Sequence, residues 1–259
     1  ILDSCNIQGN TAGTDGGGMI CGTGSGLTAT DCSFDSNTAG DDGGGIATYQ
    51  ATILLEDCDL TSNQASSDGG GLVAEWSDVT MINCQYESNN AWRGGGVTLY
   101  RNGDSEEAAS LSNCIFNDNQ ADYAGAFQVL LASADVSNTL FQGNQASIRS
   151  GAIDFNSTPS LGKELHLFNC HAFQNVAKQG AFASVFLSLC TTENTIICGS
   201  TAVPIYAPHD TWTDLGNTCI TEFCDSDQDG ALDCDDGCPD DPDKLEPGQC
   251  GCGNPDTDS

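Results

Sequence analysis

The chain has few of the residues that would bring it to nucleic acid or carry it through a membrane. Only 6 of its 259 residues are Lys or Arg, against 37 Asp or Glu, so its formal net charge is −31. Such a surface repels phosphate backbones and anionic lipid head groups, and we expect neither nucleic-acid binding nor binding to a membrane surface. The sequence contains no run of eighteen apolar residues, so no segment is predicted to span a bilayer.

Proline is also scarce, at 7 residues, and hydrophobic residues make up only 38%, whereas glycine reaches 31 and cysteine 15. This composition is poor for a compact globule but sufficient for a repeat fold, in which each unit buries a narrow stripe against its neighbours. The acidity favours a cation-rich environment with calcium as the counter-ion; for acids outside the C-terminal segment, solubility is the alternative explanation. The cysteines outside the repeat predict an oxidising, extracellular or cell-surface location.

Self-comparison shows a period near 26 residues. The eight units begin at Cys5, Cys32, Cys58, Cys84, Cys114, Thr139, Cys170 and Thr195. Five positions later, seven units carry an asparagine: Asn10, Asn37, Asn63, Asn89, Asn119, Asn144 and Asn175. Glycine clusters follow at residues 16–18, 43–45, 69–71 and 94–96.

A period of this length, with short apolar alternations and no helical stripe, predicts about three short strands per unit. Strands that repeat in one direction stack as successive coils of a solenoid, about 4.8 Å apart. We therefore predict an all-β fold, a right-handed parallel β-helix of about eight coils over residues 1–205, because parallel connections are almost always right-handed.

Each column of the repeat has a predicted role. The regular cysteines are predicted to be stacked free thiols rather than ladder disulfides, because in-register side chains point the same way. Asparagine is predicted at a turn, where it tolerates left-handed backbone and can bond its neighbours in the ladder. Glycine is predicted to allow a sharp corner and the close approach of two walls.

Some units carry a more specific pattern. Residues 34–37 (FDSN), 116–119 (FNDN) and 141–144 (FQGN) fit FxxN, and residues 125–127 (GAF), 151–153 (GAI) and 180–182 (GAF) look like a Gly-Gly-Ala-aliphatic partner. Together they resemble the repeats of polymorphic outer membrane proteins, surface adhesins built as parallel β-helices. The resemblance covers roughly residues 1–205 and implies an adhesive role, although most units here carry three glycines.

The repeat stops near residue 206, and residues 206–224 are predicted to be a cap or linker. Residues 225–236 then match a D-x-D-x-D-G loop with an acid at position 12, a spacing that suits the oxygen ligands of calcium. The predicted ligands are Asp225, Asp227, Asp229, the carbonyl of Ala231, Asp233 through water, and Asp236. Further candidates are Asp240, Asp241 and Asp243, and then Asp256 and Asp258, which read as the opening of another loop.

Cysteine and proline, rather than helices, flank this loop. The segment 225–259 resembles a thrombospondin type 3 repeat, a calcium-binding module held by disulfides, which implies Ca²⁺ as the cofactor and further repeats beyond. The disulfide candidates are Cys198, Cys219, Cys224, Cys234, Cys238, Cys250 and Cys252.

A second cation site is a candidate on the rod itself. Asp15, Asp42 and Asp68 occupy one column before the glycines, and Arg93 follows in the next unit. Stacked carboxylates repel one another unless a cation lies among them. The alternative is a solvated ladder that is closed by one salt bridge.

Parallel β-helices also include polysaccharide lyases and glycoside hydrolases. Lyases need Arg or Lys as base, but the basic residues here are scattered, and hydrolases need two carboxyls that flank the sugar bond. His166, His171 and His209 show no evident nucleophile or metal partner in the sequence. We therefore predict a chain that is not an enzyme, with a polysaccharide-binding or polysaccharide-cleaving β-helix as the alternative.

The expected role is structural or adhesive. Open coil ends expose unpaired strand edges, which favours homo-oligomers or filaments that stack through those ends. The other expected partners are a glycan or a cell-surface protein. Trp76, Trp92 and Trp212 are candidates for stacking on sugars, against the alternative that they only pack.

Overall fold

The structure, a computed structural model, describes residues 1–100, 108–157, 161–186, 189–199, 204–207, 212–249 and 251–253. Every ladder between its strands is parallel, and each strand pairs with its equivalents in neighbouring coils. This confirms the predicted all-β solenoid of about eight coils. In the part of the chain that the structure describes, no helix is long and apolar enough to cross a membrane.

Three long parallel sheets form the walls of the rod. The first sheet contains β1 (Leu2–Asp3), β5 (Gly26–Thr30), β9 (Thr52–Glu56), β13 (Asp78–Ile82), β16 (Ala109–Ser112), β20 (Ala134–Ser137), β24 (Glu164–Phe168), β27 (Leu189–Glu193) and β30 (Trp212–Gly216). The second sheet contains β2 (Asn6–Gln8), β6 (Ser33–Asp35), β10 (Asp59–Thr61), β14 (Gln85–Glu87), β17 (Ile115–Asn117), β21 (Leu140–Gln142), β25 (His171–Phe173), β28 (Ile196–Cys198) and β31 (Cys219–Ile220).

The third sheet contains β4 (Met19–Cys21), β8 (Ile46–Tyr49), β12 (Leu72–Glu75), β15 (Val97–Tyr100), β19 (Phe127–Leu130), β23 (Ile153–Asn156), β26 (Ala183–Phe186) and β29 (Ile205–Tyr206). Between the second and third sheets lie two smaller sheets. One contains β3 (Thr11–Ala12), β7 (Thr38–Ala39) and β11 (Gln64–Ala65), and the other contains β18 (Gln120–Tyr123) and β22 (Gln145–Arg149).

The first two sheets continue into the segment that was predicted to be a cap or linker. Strand β30 pairs with β27, and β31 pairs with β28. The indole Nε1 of Trp212 donates a hydrogen bond to Thr192 Oγ1 at 3.1 Å, which fixes the new strand to the last full coil. The ladders therefore run to Ile220.

Apolar ladders fill the interior of the rod. The rings of Tyr86 and Phe116 stack at 4.8 Å, and those of Phe116 and Phe141 stack at 5.1 Å, in nearly parallel planes. Rings in this arrangement add to the stability that their burial gives. Stacking at one-coil spacing is the direct result of the in-register repeat.

The regular cysteines stack as free thiols, as predicted. Thr139 replaces cysteine without loss of a contact, because its Oγ1 accepts the N–H of Cys114 at 3.4 Å, as the sulfur of Cys32 does from the N–H of Cys5. Burial raises the pKa of Cys170 to about 11. A thiol with this pKa stays protonated at neutral pH and therefore serves as packing.

The asparagine column forms a buried hydrogen-bond ladder. Asn63 Nδ2 donates to the carbonyl of Phe34 at 2.8 Å and to Asn89 Oδ1 at 3.1 Å, and the N–H of Asn63 donates to the same Oδ1 at 2.9 Å. The predicted bonding between ladder neighbours is correct, but the left-handed backbone is not at the asparagine. It lies one residue earlier, at Ser62 with φ 56°, because the asparagine side chain has to point inward to reach its partners.

The glycine clusters form the corner before the third sheet. Gly69 has a φ of +63°, the left-handed conformation that favours glycine. A Cβ on Gly70 would lie 2.4 Å from the carbonyl oxygen of Gly95 in the next coil. Both predicted reasons for glycine, the sharp corner and the close approach of two coils, therefore apply here.

Candidate functional site

Two disulfides attach the acidic segment to the end of the rod. Cys224 is bonded to Cys198 in β28, and Cys234 is bonded to Cys219 in β31. The loop that begins at Asp225 is therefore fixed at both ends to adjacent strands of the second sheet. A third disulfide joins Cys238 to Cys252. Cys250 lies outside the described residues.

Carboxylates cap the backbone within this loop and determine its turns. Asp225 accepts hydrogen bonds from the N–H of Gln228 at 2.6 Å and of Gly230 at 3.1 Å, and Asp229 accepts from the N–H of Ala231 at 2.8 Å. Gly230 has a φ of +99°, which permits the bend at the centre of the loop. These turns bring the carboxylates of Asp225, Asp227 and Asp229 close together.

The carboxylates of Asp225, Asp227 and Asp229 form a cluster in which the candidate ligand atoms lie within 4.8 Å of one another. Asp227 Oδ2 is buried and has no hydrogen-bond partner among the described residues. Loss of hydration raises the pKa of Asp227, and the neighbouring carboxylates Asp229, Asp236 and Asp225 raise it further. A buried carboxylate oxygen without a donor, beside two more carboxylates, fits a hard divalent cation such as Ca²⁺.

The other predicted ligands have partners of their own. Asp233 accepts hydrogen bonds from the N–H and Oγ of Ser226 at 2.7 and 2.6 Å, and Asp236 accepts from the N–H of Cys238 at 2.7 Å. Asp241 accepts from the N–H of Gly253 at 2.6 Å, which closes the end of the segment.

Less is determined for the remaining predicted ligands. Asp240 and Asp243 are exposed, and the carbonyl of Ala231 remains a predicted ligand. Asp256 and Asp258 lie outside the described residues.

The carboxylate column on the rod forms a chain of contacts along one edge. Asp15 accepts from the N–H of Asp42 at 3.3 Å, and Asp42 accepts from the N–H of Asp68 at 3.0 Å. Arg93 donates to both oxygens of Asp68, from Nε and Nη2, each at 2.7 Å. This salt bridge occupies Asp68, while Asp41, which the sequence did not indicate, lies beside Asp15 and Asp42.

Asp42 is the member of this column whose protonation matters most. Burial, and secondarily the charges of Asp68 and Asp41, raise its pKa from 3.8 to about 6. The folded state therefore binds a proton more tightly than the unfolded chain does. The stability that Asp42 contributes is fully present below about pH 4 and is lost as the pH rises through 6.

We therefore expect Asp42→Asn to match the parent chain in thermal midpoint at pH 4. At pH 7 its midpoint should be higher by roughly 2 °C, because solvent partly screens the charge of the half-buried Asp42. The asparagine can still accept the N–H of Asp68 but cannot ionise. Thermal unfolding in EDTA across this range checks the expectation, with Asp59→Asn, an exposed aspartate in β10 outside this cluster, as control. A variant that is less stable than the parent chain at pH 7 in calcium alone would favour a cation at this edge.

Two polar clusters were missed by sequence reasoning. In the first, Asp154 is fully buried and accepts hydrogen bonds from Arg149, Gln128 and Ser150. The guanidinium of Arg149 also lies 4.5 Å from the ring centre of Phe186. Gln128 Oε1 has no partner in the described part of the chain. The only sequence signal was an arginine five residues before an aspartate, a pattern that is too common to single out.

The second cluster corrects the interpretation of His166. Its Nδ1 lies 2.7 Å from Thr191 Oγ1, and its Nε2 lies 3.1 Å from Glu164 Oε2. The sequence showed no partner for His166, whereas the structure places a hydroxyl and a carboxylate beside it. Thr191 stands in the coil after His166, and this contact depends on strand register, which the sequence does not display.

The comparisons support the fold. A protein-family model, the right handed beta helix region, matches residues 1–146, which is more than half of the chain. No curated protein and no solved structure matches the chain. The three disulfides indicate a secreted or extracellular protein, since such bonds persist in oxidising compartments.

Proposed function

The chain belongs to the right-handed β-helix family, and we propose that it is a non-catalytic structural or adhesive part of an extracellular or cell-surface protein, stabilised by calcium. The observation that carries this proposal is the acidic loop, whose three clustered carboxylates are held at the end of the rod by two disulfides. The rod supplies a long rigid surface, and the loop controls how firmly its last coils are held.

Asp225, Asp227 and Asp229 would hold the ion, with Asp236 close to Asp227. Calcium would neutralise carboxylates that otherwise repel one another, so it favours the compact loop over an extended one. Because Cys224 and Cys234 link the loop to β28 and β31, part of that stabilisation passes to the last coils.

We expect calcium to bind with a dissociation constant of about 0.1–1 mM, the range of extracellular modules. At a hundredfold excess over this value, it should add roughly 2.7 kcal/mol to the stability of the segment. Asp227→Asn should weaken binding about tenfold or more, since affinity follows the number of charged ligands. Calorimetric titration and thermal unfolding of the intact chain measure both effects.

The exposed Asp235→Asn is the matched control, because it removes a charge from the same segment outside the cluster. Thermal midpoints that are equal in calcium and in EDTA would contradict the calcium part of the proposal. Electron microscopy under the same two conditions separates the two roles. Calcium-dependent filaments favour a fibre subunit that stacks through coil ends, whereas monomers that bind cells favour an adhesin.

A hydrolytic role is the second candidate, and the contacts of His166 with Thr191 and Glu164 favour it. A histidine between a hydroxyl and a carboxylate can activate the hydroxyl as a nucleophile. Against it, the cluster lies on the outer face of the first sheet, where backbone N–H groups are engaged in strand pairing. Incubation with a panel of polysaccharides that includes esterified ones decides between the two, because a histidine-activated hydroxyl attacks ester carbonyls. Product release that His166→Ala abolishes would establish the enzyme.

A further inference from the structure

A shallow groove runs along the rod beside the short strands between the second and third sheets. It passes five coils, from Thr38 to Ser147, and encloses about 640 Å³. At the spacing of stacked strands, it is roughly 20 Å long. We call it the alanine groove, because its floor is the alanine column, Ala39, Ala65, Ala91 and Ala121.

The floor is smooth and the wall is polar. The alanines are between 2% and 8% exposed, so no side chain rises from the floor into the groove. Beside them, Gln64, Asn90 and Gln120 project into solvent at one-coil intervals. In the described part of the chain, the side-chain amides of Gln64 and Gln120 make no hydrogen bond, so their donors and acceptors are available to a ligand.

Trp92 stands in the middle of the groove and is 44% exposed. Its ring meets Tyr123 edge to face at 5.7 Å, and the guanidinium of Arg93 lies 4.8 Å from its centre. Arg93 is itself held by the salt bridge to Asp68. The indole is therefore fixed in place before any ligand arrives, which lowers the entropy lost on binding.

These features select one kind of ligand. A row of amides offers donors and acceptors but no charge. The charged residue of the lining, Asp122, is acidic and accepts a hydrogen bond from Ser147 Oγ, and a chain with a net charge of −31 repels polyanions. A linear sugar polymer has hydroxyls along its edges and apolar ring faces that stack on an indole. One coil spacing, about 4.8 Å, is comparable to the length of one sugar unit.

We propose that the alanine groove binds a linear, uncharged polysaccharide that lies along the rod axis, with Trp92 stacking on one ring and the amide row bonding its hydroxyls. This inference rests on the proposed adhesive function and names its ligand. It uses surface that neither the calcium loop nor the His166 cluster occupies.

Binding of the intact calcium-loaded chain to soluble neutral hexasaccharides, β-linked glucose and N-acetylglucosamine oligomers among them, tests the proposal. A uronic-acid oligomer and an extended peptide serve as comparison ligands. We expect a neutral oligomer to bind with little dependence on salt, and Trp92→Ala to weaken binding about tenfold or more. The double variant Gln64→Ala with Gln120→Ala should weaken it by a similar factor.

The matched controls are Trp76→Ala and Gln142→Ala, which remove the same side chains from other faces of the rod. Neutral-sugar binding that is lost in the groove variants and kept in both controls supports the proposal. Equal binding by groove and control variants, preference for the uronic-acid oligomer or the peptide, or no binding to any neutral sugar would overturn it. If no neutral sugar binds while calcium-dependent filaments or cell binding are observed, the groove proposal fails and the proposed function stands.

Discussion

Asn89→Ala is expected to lower the free energy of unfolding by about 3–5 kcal/mol, because it removes side-chain hydrogen bonds from two buried backbone groups and from two buried asparagine side chains. The carbonyl of Leu60 loses the Nδ2 donor of Asn89 at 2.7 Å, and the N–H of Asn63 loses the Oδ1 acceptor at 2.9 Å. The side chains of Asn63 and Asn119 each lose one bond as well. In a chain of this size, the thermal midpoint should fall by roughly 10 °C.

The control is Asn117→Ala, two residues before Asn119, the next member of the ladder. Asn117 lies on the outer face of β17, and its side chain makes no hydrogen bond among the described residues. We expect a change within about 0.5 kcal/mol there, as for ordinary surface positions. Urea unfolding of both variants compares them, and similar midpoints would show that the buried ladder contributes little.

Gly70→Ala is expected to be at least as damaging, with a loss of about 3–5 kcal/mol. The added Cβ would lie 2.4 Å from the carbonyl oxygen of Gly95 and 2.7 Å from the backbone nitrogen of Asn90. Backbone atoms of a neighbouring coil cannot rotate away as a side chain would. Two coils therefore have to separate at the corner, and the ladder bonds on both sides of the corner lengthen.

Gly22→Ala is the matched control, since an added Cβ there meets nothing within 4 Å. We expect it to be neutral or to stabilise by about 0.5 kcal/mol through a less flexible unfolded chain. Urea midpoints and the rate of limited proteolysis measure the difference. Equal sensitivity of the two variants to protease would contradict the close approach of coils at Gly70.

The fold could be predicted because one period runs through several columns at once. Free thiols at Cys58 and Cys84 and the asparagines at Asn63 and Asn89 recur in the same frame, and only stacked coils explain all of them. The left-handed turn residue was assigned wrongly because that position carries no fixed residue type. Serine occupies it at Ser36, Ser62 and Ser88, but later coils use Asp118, Gly143 and Gln174.

The calcium loop could be proposed from sequence because its clustered carboxylates lie within five residues of one another. Contacts between residues of different coils could not be predicted from sequence. Whether Thr191 meets His166 depends on which residue of β27 faces β24, and a slip of one position would send the side chain inward. The burial of Asp154 likewise depends on how the preceding corner folds over the outer face of the third sheet.

The two disulfides at the end of the rod also determine how it responds to mechanical force. Pulling on an unlinked end would peel the last strands away one hydrogen bond at a time. Here, force from the C-terminal side reaches Cys234 first and divides between Cys219 in β31 and Cys224, whose bond carries it to Cys198, one coil inside the end. Because β31 and β28 then share the load, the last strand cannot be peeled away alone.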